Sequence, residues 1–74
     1  MPKTLDELEA GQAGVVAQVA GEPEIAERLM EMGLIAGTPF KVVKRAPLGD
    51  PIEIETRGYH LTIRKGEAAG ILIE

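Results

Sequence analysis

The chain contains no cysteine, tryptophan, serine or asparagine, and its only aromatic side chains are Phe40 and Tyr59. Without cysteine, neither a disulfide nor a thiolate metal centre can supplement the core. Without serine or cysteine, the hydroxyl nucleophiles reduce to Thr4, Thr38, Thr56 and Thr62, and His60 is the single imidazole available as a base. Thr62 lies two residues from His60 on one strand face, with no third group placed to orient the ring, so no nucleophilic triad is expected. The scarcity of aromatics removes the stacking platforms with which small barrels hold nucleic acid. The nine glycines are scattered at turns, and none opens a helix with phosphate-cradle spacing. No uncharged run approaches the ~18 residues of a membrane span, and no cationic segment leads into an apolar one. The expectation is a soluble, cytoplasmic chain that is not itself membrane-inserted and is not an enzyme.

What is present is aliphatic. The 74 residues are 45% hydrophobic, which allows one domain (1–74) near the lower size limit for an unassisted core. The net charge of −4 is unevenly placed. Residues 1–33 carry seven acids against Lys3 and Arg28, whereas residues 34–74 carry five acids against six bases. Lys41, Lys44 and Arg45 form a basic patch on one predicted strand. An acidic chain nevertheless starts with a handicap against phosphate backbones, so no nucleic-acid partner is expected.

Thr4 and Glu7 have the spacing of a capping box around one helical turn. Val15, Ala17 and Val19 alternate with Val16 and Gln18, as a first strand requires. Gly21-Glu22-Pro23 breaks it, and Pro23 suits the first position of a helix. Within that helix Ile25, Leu29 and Met32 make the buried stripe, and Glu24 and Arg28 are spaced to pair. Gly33 reads as the left-handed residue that ends the helix, which brings Leu34 over Leu29 in a Schellman motif. Ile35-Ala36-Gly37-Thr38 reads as a type II turn. A second strand follows through Phe40 to Val43, ending near Ala46, and the stiff loop PLGDP (47–51) leads into the third.

Ile52 and Ile54 alternate with Glu53 and Glu55, and Leu61 and Ile63 alternate with His60, Thr62 and Arg64. A two-residue hairpin loop at Arg57-Gly58 pairs Ile54 with Leu61 and Ile52 with Ile63 on one face. It pairs Glu55 with His60 and Glu53 with Thr62 on the other. Lys65 to Ala69 forms a short turn of 3₁₀ type, and the last strand carries Ile71 and Ile73 inward. Five short strands with one helix after the first bury their apolar faces best as a small barrel, which also removes most edges.

Two constellations remain. Glu53, Glu55 and His60 offer a divalent ion two carboxylates and one imidazole, a thin ligand set. It implies no tightly bound cofactor, and at most weak Fe2+ or other divalent binding. After the inward positions are filled, Met30, Ile35, Leu48, Val16, Val43 and Leu72 are left over. Met30 and Ile35 near the helix end, and Leu48 at the tip of a stiff loop, make the best contact set for a protein partner.

The stretches TLDELEAGQAGVV (4–16), RLMEMGLIAGT (28–38), APLGDPIEI (46–54) and LTIRKGEA (61–68) together resemble the FeoA family, the small ferrous iron transport protein A, over essentially the whole chain. The resemblance implies an SH3-like barrel and a cytoplasmic accessory role in ferrous iron uptake. The partner it implies is the FeoB permease, with its cytosolic GTPase domain. By position, the family's helix-end motif falls on Leu29, Met32, Gly33 and Leu34. Its loop motif falls on Pro47, Leu48, Gly49, Asp50 and Pro51, and its late motif on Arg64, Glu67 and Ala68. Combined with the leftover aliphatics, this gives a partner-binding set of Met30, Gly33, Leu34, Ile35, Pro47, Leu48, Gly49, Asp50 and Arg64. Ala36 stands where the family usually has proline, and Gly66 where helix formers are more frequent. Two alternatives stay open: direct ferrous or divalent metal binding, and a detached SH3-like peptide-binding domain of an iron-dependent repressor.

Overall fold

Capping and turn chemistry set the element boundaries. A computed structural model describes residues 3–74. Thr4 caps a single 3₁₀ turn at Leu5–Glu7, where the Glu7 carboxylate reaches back to the Thr4 backbone N–H at 3.0 Å. The chain then runs through β1 (Ala13–Val19), α1 (Pro23–Glu31), β2 (Pro39–Arg45), β3 (Ile52–Thr56), β4 (Tyr59–Ile63), α2 (Lys65–Ala68) and β5 (Ile71–Ile73). Neighbouring strands are antiparallel in the order β4-β3-β2-β1-β5. The fold is mainly β, a small five-stranded SH3-like barrel with one short helix inserted after the first strand. Among the described residues, no helix is long and apolar enough to cross a membrane.

The β3–β4 hairpin has the register that period and turn position predict, with Ile54 opposite Leu61 and Glu55 opposite His60. Arg57 (φ +53°) and Gly58 (φ +85°) form the two-residue connection, both in the left-handed region that a type I′ turn requires. Ile52, Ile54 and Ile63 are fully buried beside Leu5, Val16, Leu29, Leu34, Val42 and Ile71.

Simple alternation fails in β1. It leaves Val16 as spare apolar surface, yet Val16 is fully buried. A bulge between Val16 and Gln18 shifts the β1–β5 register, so Val16 and Val19 both pack on the core. Leu72 is half-buried too, because Thr4 bridges to it across the outer side of β5.

The helix end follows the Schellman geometry. Gly33 takes φ +99°, Gly33 N–H donates to Met30 O at 3.0 Å, and Leu34 N–H donates to Leu29 O at 3.1 Å. Ala26 joins the buried stripe beside Leu29, with Ile25 and Met32 partly buried. Two local expectations are corrected. Arg28 pairs with Glu67 of α2 rather than with Glu24, which ties the two helices together. The turn at Lys65–Ala68 is α-helical and not 3₁₀, since Ala68 N–H reaches Arg64 O and Ala69 N–H reaches Lys65 O.

Candidate docking surface

The end of α1 leaves two aliphatic side chains outside. Met30 is 43% exposed and Ile35 is 45% exposed, on either side of the glycine that stops the helix. The turn between them and β2 is held from below. Thr38, fully buried, donates its hydroxyl to Gly33 O at 3.1 Å and accepts from Ile35 N–H at 3.3 Å and Arg57 Nη2 at 3.3 Å. Thr38 N–H closes the type II turn on Ile35 O at 3.0 Å, with Gly37 at φ +90°. Tyr59 donates its hydroxyl to Met32 O at 2.6 Å, so the first residue of β4 caps a helix carbonyl. Ile35 therefore sits on a fixed loop and is presented to solvent at little conformational cost.

Two members of the predicted contact set face inward. Leu34 is fully buried against Leu29, and a Cβ on Gly33 would lie 2.7 Å from the Tyr59 hydroxyl. Neither offers a side chain to a partner, because the Schellman closure consumes both. They shape the helix end that displays Met30 and Ile35.

The PLGDP loop exposes Leu48 almost completely, at 93%, with Pro47 exposed beside it. Its other residues are tied down. Gly49 O accepts from Arg45 Nη2 at 3.3 Å, and Asp50 Oδ1 accepts from Lys65 N–H at 3.0 Å. Arg64, exposed, precedes α2, and its backbone N–H donates to Glu67 Oε1 at 3.3 Å. The loop motif and the late motif thus lock each other, which fixes the stiff loop seen in the sequence.

The structure does not gather the contact set at one place. Thr38 and the hairpin tip lie at one end of the β2–β3 ladder, while Ala46 and the loop lie at the other. Seven residues of β2 separate them, or roughly 20 Å at the rise of a strand.

The acidic pair around His60 is drawn apart. His60 Nδ1 lies 2.7 Å from Glu53 Oε2, the diagonal neighbour, and Nε2 lies 3.9 Å from Glu55 Oε2. The carboxylates address opposite nitrogens of the ring, so the three donors do not converge on one point. Among the described residues, no three His, Asp or Glu side chains group as a metal would need. Glu53 also orients the ring, a third group that the sequence pattern does not supply to the Thr62–His60 pair. In the basic patch, Arg45 is not free for phosphates: Nη1 donates to Asp6 O at 2.9 Å and to Leu8 O at 2.6 Å. Lys41 and Lys44 remain exposed on β2.

A model of the FeoA domain matches residues 3–74. The chain belongs to the FeoA family. It is 36% identical over 70 residues to the Fe(2+) transport protein A/Fe(2+) transporter FeoB fusion protein of Porphyromonas gingivalis. That match covers 95% of this chain and spans only 8% of the fusion protein's length. Among solved structures, FeoA of Chlorobium tepidum is 48% identical with a TM-score of 0.88, over 96% of this chain and 68% of that one. FeoA of Stenotrophomonas maltophilia, solved with zinc and described as an SH3 domain protein, is 27% identical with a TM-score of 0.86. That match covers 99% of this FeoA chain and 91% of the other. The FeoA family is linked to ferrous iron transport, and in one relative the FeoA part is joined to FeoB in a single chain.

Proposed function

We propose that this FeoA protein is a cytoplasmic, non-enzymatic accessory of ferrous iron uptake that docks on the cytosolic part of a FeoB-type permease. The observation that carries this reading is the Porphyromonas gingivalis fusion, in which a relative of this whole chain is covalently part of a FeoB transporter. Linking two modules raises their effective concentration and favours an encounter that would otherwise be weak. The exposed Met30 and Ile35 on a pinned helix end, with Leu48 and Pro47 on the pinned loop, are the surfaces we assign to that contact. The adaptable thioether of Met30 suits a partner surface whose shape it must follow. Iron enters this reading as the permease's cargo, and no resident metal is needed.

The test is a titration of the purified cytosolic domain of the FeoB-type permease into isotope-labelled protein. Chemical-shift changes at Met30 and Ile35, with or without Leu48, are the expected result. Unchanged resonances at all three at saturating permease domain overturn the docking reading.

A further inference from the structure

The tip of the β3–β4 hairpin holds the one described residue other than glycine with a positive φ, Arg57 at +53°. The first central position of a type I′ turn favours Asn, Asp or Gly, because other side chains are sterically unfavourable there. The turn itself gives no reason for an arginine. The side chain does something the backbone would not select.

The guanidinium folds back over the helix end. Its Nη2 donates to Thr38 Oγ1 at 3.3 Å, and its Nη1 lies 3.9 Å from the Cβ position of Gly33. Thr38 Oγ1 also accepts from Ile35 N–H, so the cation and the exposed Ile35 are held by one hydroxyl. The other two arginines inside contacts are consumed, Arg28 by Glu67 and Arg45 by backbone carbonyls. Among the described residues, no carboxylate lies within 4.0 Å of Arg57. One of its five N–H donors is engaged by Thr38, and the rest stay available for a planar, two-point partner.

The helix leading to this spot is acidic, with Glu24, Glu27 and Glu31 exposed along it. A carboxylate-bearing partner is repelled there and attracted at Arg57, which fixes its orientation.

Resting on the docking reading above, we propose that Arg57 is the specificity-determining anchor of the helix-end surface. Its occupant is a segment of the permease's cytosolic part that carries an Asp or Glu beside aliphatic side chains. The carboxylate takes the free N–H groups of the guanidinium, and the aliphatic neighbours cover Ile35 and Met30.

Calorimetric titration of the permease's cytosolic domain into wild type, R57N and R57K tests this at several salt concentrations. R57N relieves the backbone, so it is expected to melt at or above the wild-type temperature while binding about tenfold more weakly or worse. Wild-type affinity is expected to fall with added salt, R57N to respond little, and R57K to recover part of the affinity. Wild-type binding that ignores salt overturns the inference whatever the variants do. So does R57N binding at wild-type strength while Met30 and Ile35 still shift, which leaves docking intact. No binding by wild type sinks both readings. Arg57 resonances that move with the protein's own concentration, without permease, assign the surface to a second copy and overturn the proposal.

Discussion

The Tyr59 hydroxyl, at the first residue of β4, sits 2.6 Å from the carbonyl oxygen of Met32, the last residue before the helix-stopping glycine. This single contact fastens the β3–β4 hairpin to the end of α1, and it satisfies a carbonyl that the helix leaves without an internal donor. Replacing Tyr59 with Phe keeps the ring and deletes the donor. The expected loss is about 1 kcal/mol, or roughly 4–8 °C of melting temperature in a domain this small. A thermal melt superimposable on wild type shows that water replaces the hydroxyl without cost.

Gly33→Ala meets two obstacles. The left-handed φ of +99° is unfavourable for any Cβ, and that Cβ would stand 2.7 Å from the Tyr59 hydroxyl oxygen. We expect a destabilisation of about 1 kcal/mol or more from the backbone alone. The clash adds to it, and it vanishes when the hydroxyl is gone. G33A in a Tyr59→Phe background should therefore cost less than G33A in wild type, a non-additivity that denaturant unfolding of the four proteins measures. Strict additivity places the Gly33 penalty wholly in the backbone.

Arg45 looks like surface charge in the sequence and acts as a clamp in the structure. Its guanidinium binds the carbonyls of Asp6, Leu8 and Gly49, joining the amino-terminal turn to β2 and the PLGDP loop. Arg45→Ala removes these charge-assisted bonds and should cost about 2 kcal/mol in urea unfolding. Arg45→Lys should fall between, since an ammonium cannot span two carbonyls with a rigid fork. A neutral Arg45→Ala variant shows that the contacts merely replace solvent.

The elements that could be read in advance are those whose determinants are local. The hairpin is legible because the period of Ile52, Ile54, Leu61 and Ile63 and the position of Arg57-Gly58 specify the same register. The helix end is legible because Gly33, Leu29 and Leu34 stand at the spacing of one capping motif. What escapes is set across the chain. The bulge that turns Val16 inward exists only in the pairing of β1 with β5, and Arg28 finds Glu67 39 residues away. Arg45 bonds backbone carbonyls, which leave no side-chain signature in a sequence. Of the candidate surface, exposure of Met30, Ile35 and Leu48 follows from counting aliphatics beyond those the core needs. That the loop lies a strand's length from the helix end emerges only when the ladder is assembled.

Acid should loosen the amino-terminal turn. The Glu7 carboxylate accepts from Lys3 N–H, Thr4 N–H and the Thr4 hydroxyl, and these bonds, that from Lys3 foremost, hold its pKa below the ordinary 4.5. A lowered folded-state pKa means stability that is present above the ordinary value and lost as pH falls through the folded value. Glu7→Gln should thus be less stable than wild type at neutral pH, with the difference closing below about pH 4.5. Urea midpoints measured from neutral pH downward check this, and a gap that stays constant with pH assigns the effect to something other than the carboxylate's charge.

The separation of the two exposed aliphatic groups turns the docking surface into a comparison. Met30 and Ile35 at the helix end, and Leu48 on the loop, each lie outside the core, so polar replacements should shift stability by no more than about 0.5 kcal/mol. Their effects on permease binding need not match. A standard interface of about 800 Å² per partner can reach both ends of a molecule measuring 28 × 25 × 22 Å, but its energy concentrates where side chains are pinned. Ile35 rests on the Thr38 hydroxyl, whereas Leu48 stands 93% exposed at a loop tip. The double variant Met30→Ser with Ile35→Ser is therefore expected to weaken binding to the permease's cytosolic domain by at least tenfold, and Leu48→Ser by less. The opposite order, with folding intact in both, moves the main contact to the PLGDP loop, which the Arg45 guanidinium and the Lys65 N–H hold in place.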